Sequence, residues 1–165
     1  MRLFVSLRPP PEVCDHLAAA AAGVRTTRVH QWHVTLAFLG EVPAAEPLLP
    51  GLAAAASASE PFALRLRGGG FFRAPRVLYA RIDGDVASLR VLAADVGSAC
   101  RAAGVGLEDR PFRPHLTVAR RLPADPGVLA GYEGPPWTAG EVELVRSRPG
   151  GQVEHEVLAC FPLGG

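Results

Sequence analysis

The sequence predicts an α+β fold built on antiparallel sheet. Three observations carry that expectation. Strand-like and helix-like runs are mixed without the strict strand-helix-strand alternation of a parallel sheet. Two of the strands open on nearly the same five residues. The chain of 165 residues is 48% hydrophobic, enough to bury a core in one domain spanning 1–165.

Taken in order, Leu3, Val5 and Leu7 alternate with Arg2, Phe4 and Ser6, the period of a half-buried strand, and Pro9, Pro10 and Pro11 stop it. A helix is expected over 10–22, with Glu12 and Asp15 near its start and Gly23 just past its end. Residues 33–39 are apolar and β-rich up to Gly40, and 46–58 form a second, alanine-rich helix. Phe62–Leu66 and Val77–Ile82 are further strands. Between them Gly68, Gly69 and Gly70 read as a turn or bulge, since no Gly-Lys-Ser/Thr follows to make a phosphate cradle. Val86, Leu89, Leu92, Ala93 and Val96 give a helical period over 86–103, ended by Gly104. A strand over 116–122, a Pro/Gly-rich connection over 123–140 and two closing strands near 141–146 and 153–160 complete the chain.

A net charge of +1 excludes binding through a general basic surface, so any phosphate recognition must be local. All 17 basic residues are arginine, and each phosphate contact would use the planar guanidinium fork. Cys14, Cys100 and Cys160 are far apart, with no C-x-x-C pair and no histidine at zinc spacing, and read as reduced and structural. The apolar stretch before the prolines is too short for a signal peptide, and neither alanine-rich run approaches a membrane span. A cytoplasmic protein is expected.

The chemistry sits in a repeat. His33-Val34-Thr35-Leu36-Ala37 and His115-Leu116-Thr117-Val118-Ala119 both read His, apolar, Thr, apolar, Ala. Alternation along a strand puts His and Thr on one face and the apolar residues on the other, with the Ala on the His face leaving open space. Two such strands across a cleft supply a neutral His to take a proton, a protonated His to give one, and two hydroxyls to donate to phosphate oxygens. Histidine suits both roles because its ordinary pKa of about 6.5 lies near neutrality. Neither a metal nor a cofactor is implied.

The paired motifs resemble those of the 2H phosphoesterases, and among them the RNA 2′,3′-cyclic phosphodiesterases of the 2′-5′ RNA ligase family. The likeness extends along the chain. Leu7-Arg8-Pro9-Pro10-Pro11-Glu12 resembles the family's start, residues 31–42 its first motif, 70–82 its middle hairpin, 110–120 its second motif and 157–163 its last strand.

That resemblance implies a bilobal, pseudo-twofold fold. Two antiparallel sheets would flank a central cleft with helices outside, one motif per lobe at 33–36 and 115–118. It implies hydrolysis of RNA 2′,3′-cyclic phosphate ends to 2′-phosphomonoesters. His33 would give a proton to the leaving 3′ oxygen, His115 would activate water, and Thr35 and Thr117 would hold the phosphate. With a 5′-hydroxyl in place of water the same groups would form a 2′-5′ bond.

Arg113 and Arg120 are candidate phosphate contacts, although strict alternation from His115 turns Arg120 away. His155, where the family pattern has tyrosine, is either a cleft residue that stacks on a base or a packed strand residue. His30 reads as a loop residue, and the segment holding Arg25 and Arg28 is short for the family. Partners are RNA or oligonucleotide ends or a nucleotide cyclic phosphate, with no membrane and no protein partner, for a monomer. Alternatives are a phosphodiesterase on 2′-5′ oligonucleotides or small cyclic nucleotides, and a non-catalytic RNA-end-binding module.

Overall fold

The computed structural model describes residues 1–164. Its elements run β1 (Arg2–Leu7), α1 (Pro11–Ala20), β2 (Val34–Glu41), α2 (Leu49–Ser57), β3 (Phe62–Phe72), β4 (Val77–Gly84), α3 (Val86–Ala102), β5 (His115–Ala119), β6 (Glu133–Ala139), β7 (Glu141–Arg148) and β8 (Glu154–Pro162). Short 3-10 turns at Val29–Gln31 and Glu46–Leu48 lead into β2 and α2. All neighbouring strands are antiparallel, in the order β6-β3-β4-β5-β2-β1-β7-β8. The α+β class is as expected, but the two expected sheets are joined as one. The joint is narrow: β2 and β5 share the single register pair Val34 and Leu116.

The halves are also tied by their helices. The α1 helix follows β1 yet packs against β6 of the other half, with His16 Nδ1 2.8 Å from the Tyr132 hydroxyl; α3 follows β4 and packs against β2. Each helix thus covers apolar surface that its own half does not own, and the buried side chains form one cluster. At the start of α3 the Asp85 carboxylate accepts from the Ser88 backbone N–H, a side-chain cap.

Two strands differ from the sequence expectation. The stretch read as a connection holds β6, which carries Pro135 and Pro136 at the sheet's edge and beside a register break between Pro136 and Glu133, the two settings in which a strand tolerates a missing N–H. The strand expected over 62–66 continues through the glycines to Phe72, with a register break between Leu66 and Gly69. These glycines are a packing device. A Cβ on Gly69 would stand 2.5 Å from Leu129 Cβ, and one on Gly70 would enter the Tyr79 ring. In addition, β1 is buried from Leu3 to Leu7 on both faces, as befits an interior strand.

Both motif strands carry a bulge at the same place. Neighbouring Val5 and Ser6 face Ala37 and Thr35, which leaves Leu36 as an extra residue in β2; neighbouring Leu78 and Tyr79 face Ala119 and Thr117, which leaves Val118 extra in β5. Each bulge follows its Thr directly and resets the alternation beyond it. Ala119 is therefore fully buried and Ala37 packs against the core, so neither opens space beside its His. The residue after each Ala, Phe38 and Arg120, turns to the cleft instead. The carbonyl of bulged Val118 is not left unpaired: it accepts from the Thr27 backbone N–H at 2.9 Å and from the Thr27 hydroxyl at 3.2 Å.

Candidate active site

His33, Thr35, His115 and Thr117 line one cavity of about 660 Å³, within the range of small-ligand sites. The strand joint explains the meeting. Val34 and Leu116, each the residue after a motif His, are register partners and fully buried, so the flanking His and Thr side chains of both strands rise from the opposite face.

The two imidazoles are held in the same way. Nδ1 of His33 donates to the Gln31 carbonyl at 2.7 Å, and Nδ1 of His115 donates to the Arg113 carbonyl at 2.7 Å. A carbonyl can only accept, so each Nδ1 carries hydrogen and each Nε2 is the nitrogen available for proton exchange. His33 stacks on Phe4 with centroids 4.6 Å apart, and His115 meets the edges of Phe72 and Tyr79 at 5.3 and 5.5 Å. Thr35 and Thr117 are half-buried, and among the described residues neither hydroxyl has a protein hydrogen-bond partner.

A model of the 2′-5′ RNA ligase superfamily matches residues 4–150. The chain belongs to that superfamily. It is 39% identical over 188 aligned positions to the RNA 2′,3′-cyclic phosphodiesterase of Thermus thermophilus, covering 100% of this chain and 91% of that protein. It is 38% identical to the Geobacillus stearothermophilus protein of the same name, over 84% of this chain and 48% of that longer protein. A crystal structure of a Thermus thermophilus protein superposes with a TM-score of 0.86 at 34% identity, covering 100% and 99% of the two chains. Escherichia coli LigT complexed with 3′-AMP superposes with a TM-score of 0.83 at 25% identity, covering 99% and 98%.

In this superfamily member the cleft's electrostatics are uneven. Burial pushes His33 down from 6.5 to about 4; its bond to the Gln31 carbonyl opposes the shift, and the nearby charges of His155, Arg8 and Arg120 add to it. His155, on β8, lines the cleft and is lowered by burial first and Arg8 second. It packs there against the rings of Phe4 and His33, with centroids 5.0 and 5.4 Å away.

Arg120 also lines the cleft, against strict alternation, because the Val118 bulge flips the strand's parity and Arg121 leaves it at φ +59°. Arg113 does not. It lines a neighbouring cavity, and its carbonyl serves His115. His30 is exposed and Arg25 lies outside the cleft, whereas Arg28 lines it and pairs with Glu154 at 3.8 Å.

Sequence reasoning missed Phe38, Arg2, Phe4 and Trp32. Phe38 stands 54% exposed in the cleft with the Arg2 guanidinium 5.2 Å from its centroid. Trp32 is buried at the cleft wall and donates from Nε1 to the Thr27 hydroxyl at 2.9 Å, linking the approach to β2 with β5. Knowing the bulges would have found Phe38; nothing in the sequence marks the other three.

Among the described residues, the cluster of three metal-capable side chains is Glu141, Glu143 and Cys160, none of which lines the cleft. Cys14 and Cys100 are buried free thiols and Cys160 is exposed. No helix is long and apolar enough to cross a membrane.

Proposed function

We propose that residues 1–165 act as one domain that hydrolyses RNA 2′,3′-cyclic phosphate ends to 2′-phosphomonoesters without a metal. The observation that carries this reading is the matched pair of Nδ1–H bonds at 2.7 Å, which leaves the Nε2 of each imidazole available to one cleft that also holds two unpartnered threonine hydroxyls. A site that only bound an RNA end would have no use for two proton-exchanging nitrogens held alike. The curated relatives named for this activity, and the nucleotide bound to LigT, support the same substrate class.

In the step, water attacks phosphorus as its proton passes to one imidazole, and the bond to the 3′ oxygen breaks as the other imidazole supplies a proton. Thr35 and Thr117 donate to the non-bridging oxygens, where charge grows. The family likeness makes His33 the donor and His115 the acceptor. With His33 near 4, its donor role depends on the bound phosphate anion to support the imidazolium. The same depression favours a second reading, in which neutral His33 is the base and His115 the acid.

The phosphate end would lie between the motifs, with Phe38 and His155 as stacking surfaces and Arg120 as a charge partner. A 5′-hydroxyl replacing water would give a 2′-5′ linkage by the same transfers. The test is incubation with oligonucleotides ending in 2′,3′-cyclic phosphate, with EDTA present, and identification of the product isomer. A 2′-phosphomonoester is expected. Activity lost in EDTA and restored by zinc or manganese would sink the metal-free mechanism, and no turnover would sink the function.

A further inference from the structure

A second cavity, about 340 Å³, adjoins the first, and His115 lines both. Its other walls include Arg81, Arg90 and Arg113 together with Phe72, Tyr79 and Phe112. Three arginines beside three aromatic residues is a composition suited to a nucleic-acid strand, whose phosphates need planar donors and whose bases need flat apolar partners.

Arg81 and Arg90 are held in place, and Arg81 also stands over the Tyr79 ring at 5.8 Å. Arg81 is the register partner of His115 across β4 and β5, so its side chain rises beside the imidazole on the same face. Its Nε donates to the Gly69 carbonyl at 3.0 Å, and a terminal nitrogen of Arg90 donates to the Phe112 carbonyl at 3.0 Å. Each bond fixes a guanidinium while leaving most of its five N–H groups free. Among the described residues, none of the three arginines is paired with a carboxylate. This is a local concentration of positive charge on a chain whose net charge is only +1.

We propose that this cavity is a subsite for the RNA nucleotide next to the one that carries the reacting phosphate. Arg81 and Arg90 hold its phosphate, and Phe112 or Phe72 meets its base. The subsite rests on the reading of the main cleft as a cyclic-phosphate site. It makes the protein an enzyme of oligonucleotide ends, with mononucleotide cyclic phosphates as poorer substrates. An acidic peptide could satisfy the arginines but has no reason to share a wall with His115, whereas His115, which lines both cavities, gives an RNA whose end is in the main cleft a continuous path into this one.

The experiment compares kcat/KM for a trinucleotide ending in 2′,3′-cyclic phosphate with that for a mononucleoside 2′,3′-cyclic phosphate, in the wild type and in the double variant Arg81→Gln/Arg90→Gln. The wild type is expected to favour the trinucleotide by about tenfold, with a salt dependence steeper by about 0.7 in log-log slope for each added phosphate contact. The double variant is expected to lose both the preference and the added slope, while mononucleotide turnover changes less than about twofold. That unchanged turnover also reports an intact fold.

Equal rates on the two substrates in the wild type, or equal losses on both in the variant, would overturn the subsite and leave the cleft's function standing. If the wild type turns over neither substrate, it is the proposed function that has failed. Fluorescence anisotropy of the same labelled trinucleotide then decides the subsite alone, and affinity and salt slope unchanged in the variant overturn it. Displacement of that RNA by a polyglutamate peptide at equal charge concentration would overturn the nucleic-acid assignment.

Discussion

His155 stands edge-on to His33, with ring centroids 5.4 Å apart and planes inclined at 70°. His155 this close disfavours protonating His33, and burial of His33 adds the larger share of its depression to about 4. The unfolded chain therefore binds protons that the folded chain refuses between about 6.5 and about 4. The neutral site's contribution is fully present above 6.5 and is lost as pH falls toward 4, on the order of 3 kcal/mol at most. Urea unfolding from neutral pH down to about pH 4.5 is expected to show stability falling with pH, and His33→Asn to flatten that slope. A variant slope equal to the wild type's would mean that His33 is not the buried neutral group.

The paired Nδ1 bonds predict that His33 and His115 act as one unit. Either His→Ala change is expected to remove most of the rate, with the double variant falling little further, because groups that act together are strongly non-additive. A leaving group more acidic than a ribose hydroxyl is expected to rescue His33→Ala and not His115→Ala. Rescue of His115→Ala alone would establish the exchanged roles, and undiminished hydrolysis in both single variants would place the site elsewhere.

Thr35→Val and Thr117→Val keep nearly the same side-chain volume on half-buried strand positions, and each removes one hydroxyl from the cleft. Each is expected to lower kcat on the order of 10²-fold with little change in thermal midpoint. Full activity in both would mean that the hydroxyls serve the strand rather than the phosphate.

The glycines of β3 separate stability from activity. A Cβ on Gly69 meets the Cβ of buried Leu129, which cannot swing away without moving backbone, so Gly69→Ala is expected to cost about 1–3 kcal/mol in a denaturation curve. The atoms nearest a Cβ on Gly70 are at the outer end of the half-buried Tyr79 ring, which can rotate. Gly70→Ala is thus expected to keep most of the stability and to lower kcat by releasing Tyr79 from His115. The reverse order of effects would refute this account of the run.

What the sequence determined by itself was the chemistry and most of the elements. A period of two or of 3.6 is local, so β1, the three helices and the motif strands were legible to within a few residues. The repeated His-x-Thr named four cleft residues because both copies lie before their bulges, where alternation still holds. Beyond Leu36 and Val118 parity depends on how neighbouring strands pair, which no local pattern records. Only the tertiary structure turned Phe38 and Arg120 into the cleft, and it sent Arg113 to the cavity behind His115. It also made β6 a strand despite its prolines, since a vacant sheet edge exists only once the rest of the sheet has formed. Joining the halves through Val34 and Leu116, with α1 and α3 each packed across the divide, was decided in the same way: apolar surface is buried wherever a partner surface lies, and chain order does not specify where that is.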